Sequence, residues 1–322
     1  MSVYATVELY GCDGSYFCLA GENAGDQNVV LGTKPQGLFD APVKVGMKRG
    51  AFQVGATSGR PSRPHRELQL GLGAFSDDPE EWAEIDSKLR MAFDYEVDPW
   101  DPAAGPSRLV VTTPRSGRRW LDVLLLESPI MDMDTDPWDY GHSLLPVTLV
   151  AGQPMWREDD WLGDDEHPAG WEIDEGEESG EGTIWVCNPC DRPMKHEVLV
   201  TGDGIAGIPD VSWTGPKGAR VPGVDFRTKR DDSERMLWTP SIGPENGSRA
   251  RLNVDRLKLP IVDAHDTNLT ALMDGNRLLY VIPPYTPWTE LPVAASEVTS
   301  ATFGILFRQP RYWSRPWGLE RF

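Results

Sequence analysis

Residues 157–182, REDDWLGDDEHPAGWEIDEGEESGEG, constrain this chain more than any other stretch. Twelve Asp and Glu stand there against one Arg, a net of −11 within a total of −19. Residues 1–156 carry 22 acids and 13 bases, and residues 183–322 carry 16 and 17, so the flanks are at −9 and +1. A run this acidic, with five Gly and one Pro, has too little apolar surface to close a core of its own. The chain therefore reads as two folded domains, 1–156 and 183–322, joined by an acidic linker, 157–182. Trp161, Trp171 and Ile173 interrupt the acids. Indoles in such a place are expected to dock on a folded surface; a solvated tether with incidental Trp is the other reading.

A length of 322 residues allows two domains of ordinary size. Gly (32) and Pro (28) are frequent and long helical patterns are few, which points to a mainly β architecture with many turns. No apolar run approaches the roughly 20 residues a bilayer-spanning helix needs, so no membrane insertion is expected. The start, MSVYATVELYG, lacks a basic region followed by an apolar one; no signal peptide is expected, and synthesis in a cytoplasm is. The acidity argues against holding nucleic acid, because phosphate is repelled.

In the first domain, short strands are expected at 3–9, 16–19, 28–31, 43–48 and 51–55, the last two hinged at Arg49-Gly50. GRPSRPHR (59–66) reads as an exposed basic loop carrying Arg60, Arg63 and Arg66. Leu68, Leu70 and Leu72 then alternate as on a half-buried strand. One helix is well signalled. Asp77 or Asp78 can cap it, Pro79 suits its first turn, Glu80 and Glu81 favour its positive end, and Trp82, Ile85, Leu89 and Phe93 recur at helical spacing. Residues 109–113 and 119–126 flank PRSGR, a hairpin signal, and 144–151 close the domain. Beyond the linker, strands are expected at 183–187, 196–201, 211–213, 251–254, 278–282 and 302–308. Strands separated by polar turns predict a β-sandwich or jelly roll.

Little in the sequence carries chemistry. Cys187 and Cys190 form a lone C-x-x-C without the second pair or the two His that a zinc site needs, and Pro189 disfavours a thioredoxin-like role. Thiols without metal or disulfide are the expectation. DMDTDP places Asp132, Asp134 and Asp136 like the first ligands of a calcium loop. Pro137 and Ser143, however, stand where Gly and Glu are required. G-x-S-x-G, P-loop, G-x-G-x-x-G and H-E-x-x-H motifs do not occur. No cofactor and no enzymatic activity are expected. The 13 Trp fit core packing, protein interfaces or sugar platforms alike. Trp313 and Trp317, interleaved with Arg311 and Arg315 in RYWSRPWG, look more like an interface cluster than a core.

DGSYFCLAGENAGDQNVVLG, FDAPVK, the basic loop, LQLGL, the capped Trp82 helix and LVVTTPRSGRRWLDVLLLES occur in that order. This succession resembles the N-terminal domain of siphophage distal tail proteins. GTIWVCNPCDRP, DGNRLLYVIPPYTPW and FRQPRYWSRPWG are similar to the C-terminal sandwich of the distal and minor tail proteins of actinobacterial phages. The resemblance spares only the acidic stretch and rests on turns and strand starts. It implies a virion structural protein at the tail tip or baseplate, with an N-terminal β-sandwich or barrel-like ring domain and a galectin-like C-terminal β-sandwich. It also implies a homo-oligomeric, usually hexameric, ring between the tail tube protein and the tip or hub protein, near the tape measure protein, through which genomic DNA only passes.

Two different patches must meet in such a ring. The expected pair is Arg60, Arg63 and Arg66 against Asp132, Asp134 and Asp136 of the next copy, with Trp161, Trp171, Trp313 and Trp317 as further interaction or docking residues. The alternative function is a tail-associated carbohydrate-binding module that recognises the host surface.

Overall fold

Alternation along two ten-residue strands sets the first half of the molecule. β1 (Thr6–Tyr10), β2 (Tyr16–Ala20), β3 (Val29–Leu31), β4 (Lys44–Lys48), β5 (Thr57–Ser62) and β6 (Arg66–Phe75) precede the helix α1 (Pro79–Met91). β7 (Ser107–Thr113), β8 (Gly117–Leu125), the single turn α2 (Pro137–Tyr140), β9 (His142–Ala151) and β10 (Trp156–Trp161) follow. Leu68, Leu70, Leu72 and Ala74 of β6 are buried while Glu67 and Gln69 face out. Leu145, Val147, Leu149 and Ala151 of β9 are buried in the same rhythm. The two strands pair antiparallel from Arg66↔Ala151 to Phe75↔His142. A one-residue slip would expose every one of these side chains, so the pattern pins the register.

The structure is a computed structural model that describes residues 5–130 and 136–321. It divides into two units. The first comprises the chain to Glu158 together with Trp313–Leu319; the second comprises Asp159–Tyr312 and the last residues from Glu320. The fold is mainly β, with α1 as the only helix of more than one turn among the described residues.

In the first unit the ladder runs β2-β1-β7-β8-β9-β6-β3, all antiparallel. β8 changes partner within its length. Residues to Val123 pair with β7, and Leu124 and Leu125 pair with β9. α1 starts as its sequence signals. Asp78 caps it by accepting from the Glu80 N–H at 3.0 Å, and Trp82, Ile85 and Leu89 are buried. The Trp82 indole N–H donates to Ser143 Oγ, which donates to Asp86 Oδ1, both at 3.2 Å, so the helix is tied to β9.

The second unit contains β11 (Gly170–Glu172), β12 (Gly180–Asn188), β13 (Glu197–Thr201), β14 (Ile205–Pro209), β15 (Trp213–Thr214) and β16 (Val221–Pro222). β17 (Met236–Trp238), β18 (Arg249–Asn253), β19 (Ile261–Asp263), β20 (Thr286–Ser296) and β21 (Gly304–Trp313) complete it. One antiparallel sheet orders β19-β18-β13-β21-β11 and another β12-β20-β14-β17. Val198, Leu252, Ile305 and Phe307 from the first meet Ile184, Ile208, Leu237 and Val293 from the second in one core. This is a two-sheet sandwich.

Three expectations change. Residues 157–182, expected to be a linker docked through its indoles, are themselves built into strands: they carry most of β10, all of β11 and the start of β12. The acids do not prevent this because apolar residues take the inward positions. Ala169 is buried, and Trp171 and Ile173 pack on the sandwich core. Backbone bonds from Ile173 to Phe303, Phe307 to Ala169 and Trp185 to Pro168 hold the segment, and Asp160 pairs with Arg308 at 2.5 Å. Second, Ala51–Gly55 is a turn and its strand lies later, at Thr57–Ser62, within the stretch read partly as a loop. Third, residues 278–282 form no strand, apart from an isolated bridge at Ile282. The N–H groups of Leu279 and Tyr280 donate instead to the buried carboxylate of Asp210, at 2.9–3.0 Å, which also pairs with Arg235.

Candidate assembly surfaces

Among the described residues, β4 and β5 pair only with each other. They form an arm from Lys44 to Ser62 in which ten of the eleven strand residues are exposed. Its turn carries Phe52 and Val54, which are 102% and 99% exposed, and Met47 on its flank is 62% exposed. A lone two-stranded hairpin is marginal in water, and apolar side chains with no cover mark an interaction surface. Residues 44–63 also hold Lys44, Lys48, Arg49, Arg60 and Arg63 and no acid. Arg60 lies on β5 and Arg63 just beyond it, both exposed.

The first unit also has a surface of opposite character. The loop between α1 and β7 reads Asp94-Tyr-Glu-Val-Asp-Pro-Trp-Asp101. Trp100 is 90% exposed, and Tyr95 and Val97 are exposed beside Glu96, Asp98 and Asp101. Asp98 and Asp101 each accept a backbone N–H two residues on, from Trp100 at 2.8 Å and Ala103 at 2.9 Å, which gives the loop a defined shape. Sequence reading did not single this loop out, although four acids interleaved with three large apolar residues were visible there.

Arg66 leaves the expected basic patch. Its side chain lies inward from β6 and is 1% exposed. Nε donates to Pro154 O at 2.8 Å, Nη1 to the carbonyls of Gly37, Leu38 and Phe39 at 2.9–3.3 Å, and Nη2 to Ser314 O at 3.0 Å. Burial pushes its pKa down to about 10, with Asp40 opposing. This guanidinium clamps three backbone segments of its own unit, and Arg60 and Arg63 remain the surface pair. On the acidic side, Asp136 is exposed and caps α2 by accepting from the Trp138 N–H at 3.0 Å. Asp132 and Asp134 lie outside the described residues.

The indoles expected to form interfaces or to dock on a folded surface divide. Trp313 is 2% exposed, its N–H donating to Glu158 at 2.6 Å and its ring lying 3.8 Å beneath the Arg119 guanidinium. Arg119 in turn donates to the carbonyls of Arg315 and Gly318. Trp317 meets Phe39 edge-on at 4.8 Å, and Arg315 pairs with Asp40 at 2.5 Å. RYWSRPWG is therefore an internal seam of the first unit from Trp313 onward, not an exposed cluster. In the second unit, Trp171 packs on the core, and Gly182 faces its indole so closely that a Cβ would collide. Trp161 is half-buried under Arg311 at 5.0 Å and beside Trp288 at 5.5 Å, and His167 stacks on Trp288 at 4.0 Å.

The C-x-x-C lies in a turn organised by buried Asn188. Its amide donates to the carbonyls of Arg192, Ile282 and Pro283 and its oxygen accepts the Cys190 N–H. Cys187 and Cys190 are both buried. Among the described residues, no cluster of three His, Cys, Asp or Glu is placed to hold a metal, and no helix is long and apolar enough to cross a membrane.

No protein-family model matches the chain. The minor tail protein Gp27 of Mycobacterium phage D29 is 30% identical over 354 residues, covering 98% of each chain. The same protein of Mycobacterium phage L5 is 29% identical over 345 residues, again covering 98% of each. The chain belongs to the Gp27 minor tail protein family. Among solved structures, the Dit protein (gp 19.1) of phage SPP1 matches with a TM-score of 0.50 at 10% identity, over 95% of this chain and 99% of that one. That likeness concerns the fold alone.

A structural role in a phage tail fits what these surfaces offer. Assembly needs exposed apolar contacts framed by charge, and this minor tail protein presents them on the arm and on the Asp94–Asp101 loop.

Proposed function

We propose that this minor tail protein forms a closed ring of identical copies at the distal end of the tail tube and joins the tube to the tail tip. The arm carries the reading. Ring closure requires a heterologous contact, in which one patch of each copy meets a different patch of the next. The arm supplies one patch, apolar at its turn and basic along its strands. The Asp94–Asp101 loop supplies a complementary one, with Trp100 and Tyr95 framed by acids. Exposed ion pairs contribute about 0–1 kcal/mol each, so burial of Phe52, Val54 and Trp100 provides most of the affinity and the charges set orientation.

The comparison with SPP1 Dit, described as a paradigm of the hub adsorption apparatus of phages infecting Gram-positive bacteria, supports the same placement. An acidic ring also suits a channel that passes DNA without retaining it, since neutralised phosphates are what hold a duplex. On this reading the partners are the tube protein on one side and the tip or hub protein on the other, with no catalytic step.

Mass photometry of the full chain, alone and with tail tube protein, tests the ring. A sixfold ring has six times the 35.8 kDa protomer mass, about 215 kDa. Phe52→Asp with Val54→Asp is expected to leave a folded monomer. Rings formed by that double variant, or a parent chain that stays monomeric with tube protein present, would sink the proposal.

A further inference from the structure

The second unit contains a cleft of about 560 Å³ that the assembly reading does not use. Arg220, Arg227, Arg230 and Arg256 reach it, with Phe226 and Tyr280 on its walls. Its volume is in the range of small-ligand sites, roughly 300–1,000 Å³. The surrounding chain is locally basic: residues 211–230 hold five Lys and Arg against one acid, Asp225, in a protein of net charge −19.

The cleft is a built feature. Ser212, fully buried, accepts the Asp232 N–H at 2.9 Å and donates to Gly223 O at 2.8 Å, fastening both ends of the loop that carries Phe226 and Arg227. Within that loop Asp225 accepts the Arg227 N–H at 2.9 Å and the Thr228 hydroxyl at 2.9 Å. Its carboxylate is thus engaged in shaping the loop.

The four guanidinium groups are not equivalent. Arg220 donates to Pro284 O at 2.8 Å and is held as a wall. Arg230 pairs at 2.9 Å with Asp232, which also accepts the Tyr280 hydroxyl at 2.6 Å. Arg227 and Arg256 are exposed, the Arg227 guanidinium lying 5.4 Å over one face of the Phe226 ring, and among the described residues neither has a carboxylate within ion-pair distance. Planar guanidinium forks match phosphate oxygens two at a time. Phe226, 66% exposed, and Tyr280 add flat apolar surface on which a ring can lie.

We propose that this cleft binds a sugar ring bearing a phosphate, the phosphate held by Arg227 and Arg256 and the ring lying against Phe226 and Tyr280. The inference does not depend on ring assembly, because every residue it uses lies in the second unit.

Isothermal titration of the full chain with glucose 6-phosphate, inorganic phosphate and glucose separates the parts of the claim. Glucose 6-phosphate should bind at least about tenfold more tightly than either of the others, a difference of about 1.4 kcal/mol. Arg256→Gln and Phe226→Ala should each weaken it by a similar factor while leaving the unfolding temperature unchanged, since both side chains are exposed. Absence of heat at millimolar glucose 6-phosphate would overturn the assignment. So would equal affinity for inorganic phosphate, which marks a generic anion site, or an Arg256→Gln protein that binds like the parent.

Discussion

Two buried basic side chains show how far a residue's role departs from its residue type. Arg66 satisfies five carbonyl oxygens from segments 37–39, 154 and 314. Leu38 O also accepts the Trp156 indole N–H and Ser314 O the Ala41 N–H, so removing Arg66 bears most on the carbonyls of Gly37, Phe39 and Pro154, at a cost on the order of 1 kcal/mol or more each. Arg66→Met is therefore expected to lose about 3 kcal/mol or more in urea unfolding, whereas Arg63→Met should fall within about 0.5 kcal/mol of the parent. His196 behaves oppositely. It is buried, stacks on Phe307 at 5.3 Å, and neither ring nitrogen has a hydrogen-bond partner among the described residues. Burial lowers its pKa from 6.5 to about 4. The folded state thus holds the neutral ring while the unfolded chain takes up a proton. The contribution is complete above pH 6.5 and is lost as pH falls from 6.5 towards 4, up to about 3 kcal/mol. His196→Leu should flatten that part of the stability–pH curve. An unchanged slope would show that other groups produce it.

Among the elements, those with local causes were legible before any tertiary contact was known. The capping residue, Pro79 and the apolar face specify α1, and the hairpin of β7 and β8 follows from the turn after Thr113. β11 had no such signal, because its three residues sit among acids and acquire a partner only from β21, more than a hundred residues later. Its place depends on Trp171, and Trp171 depends on Gly182. Gly182→Ala is expected to destabilise the protein by about 1–3 kcal/mol, because the new Cβ meets the indole and the indole is hemmed in by the sandwich core. Thermal unfolding reads this directly, and a neutral result would mean that the indole can move aside. The arm formed by β4 and β5 was half legible. Its basic residues stood out, but the apolar turn at Phe52 and Val54 resembles a buried strand until the absence of any covering element is seen.

For the whole molecule, the partition of charge puts a joint at 157–182, while the compact units divide after Glu158 and again on either side of Trp313–Leu319. The first unit needs Trp156, Glu158 and Trp313–Leu319 as well as the residues before them. A fragment of residues 1–153 would remove two of the segments that Arg66 clamps and the whole Trp313 seam over Arg119. It is expected to unfold without a cooperative transition, and joining residues 313–319 to a fragment ending at Glu158 should restore one. A sharp transition in the 1–153 fragment would show that the seam is dispensable. By itself the sequence determined the mainly β class, α1, the paired strands with clean alternation and the likeness to phage tail proteins. These depend on periodicity, turn chemistry and residue order within short windows. Only the tertiary structure decided that the acidic stretch is woven into sheets, that Arg66 and Trp313 are internal, and that the arm stands uncovered. Burial and strand pairing join residues far apart in the chain, and a side chain's exposure is set by what the rest of the fold places over it.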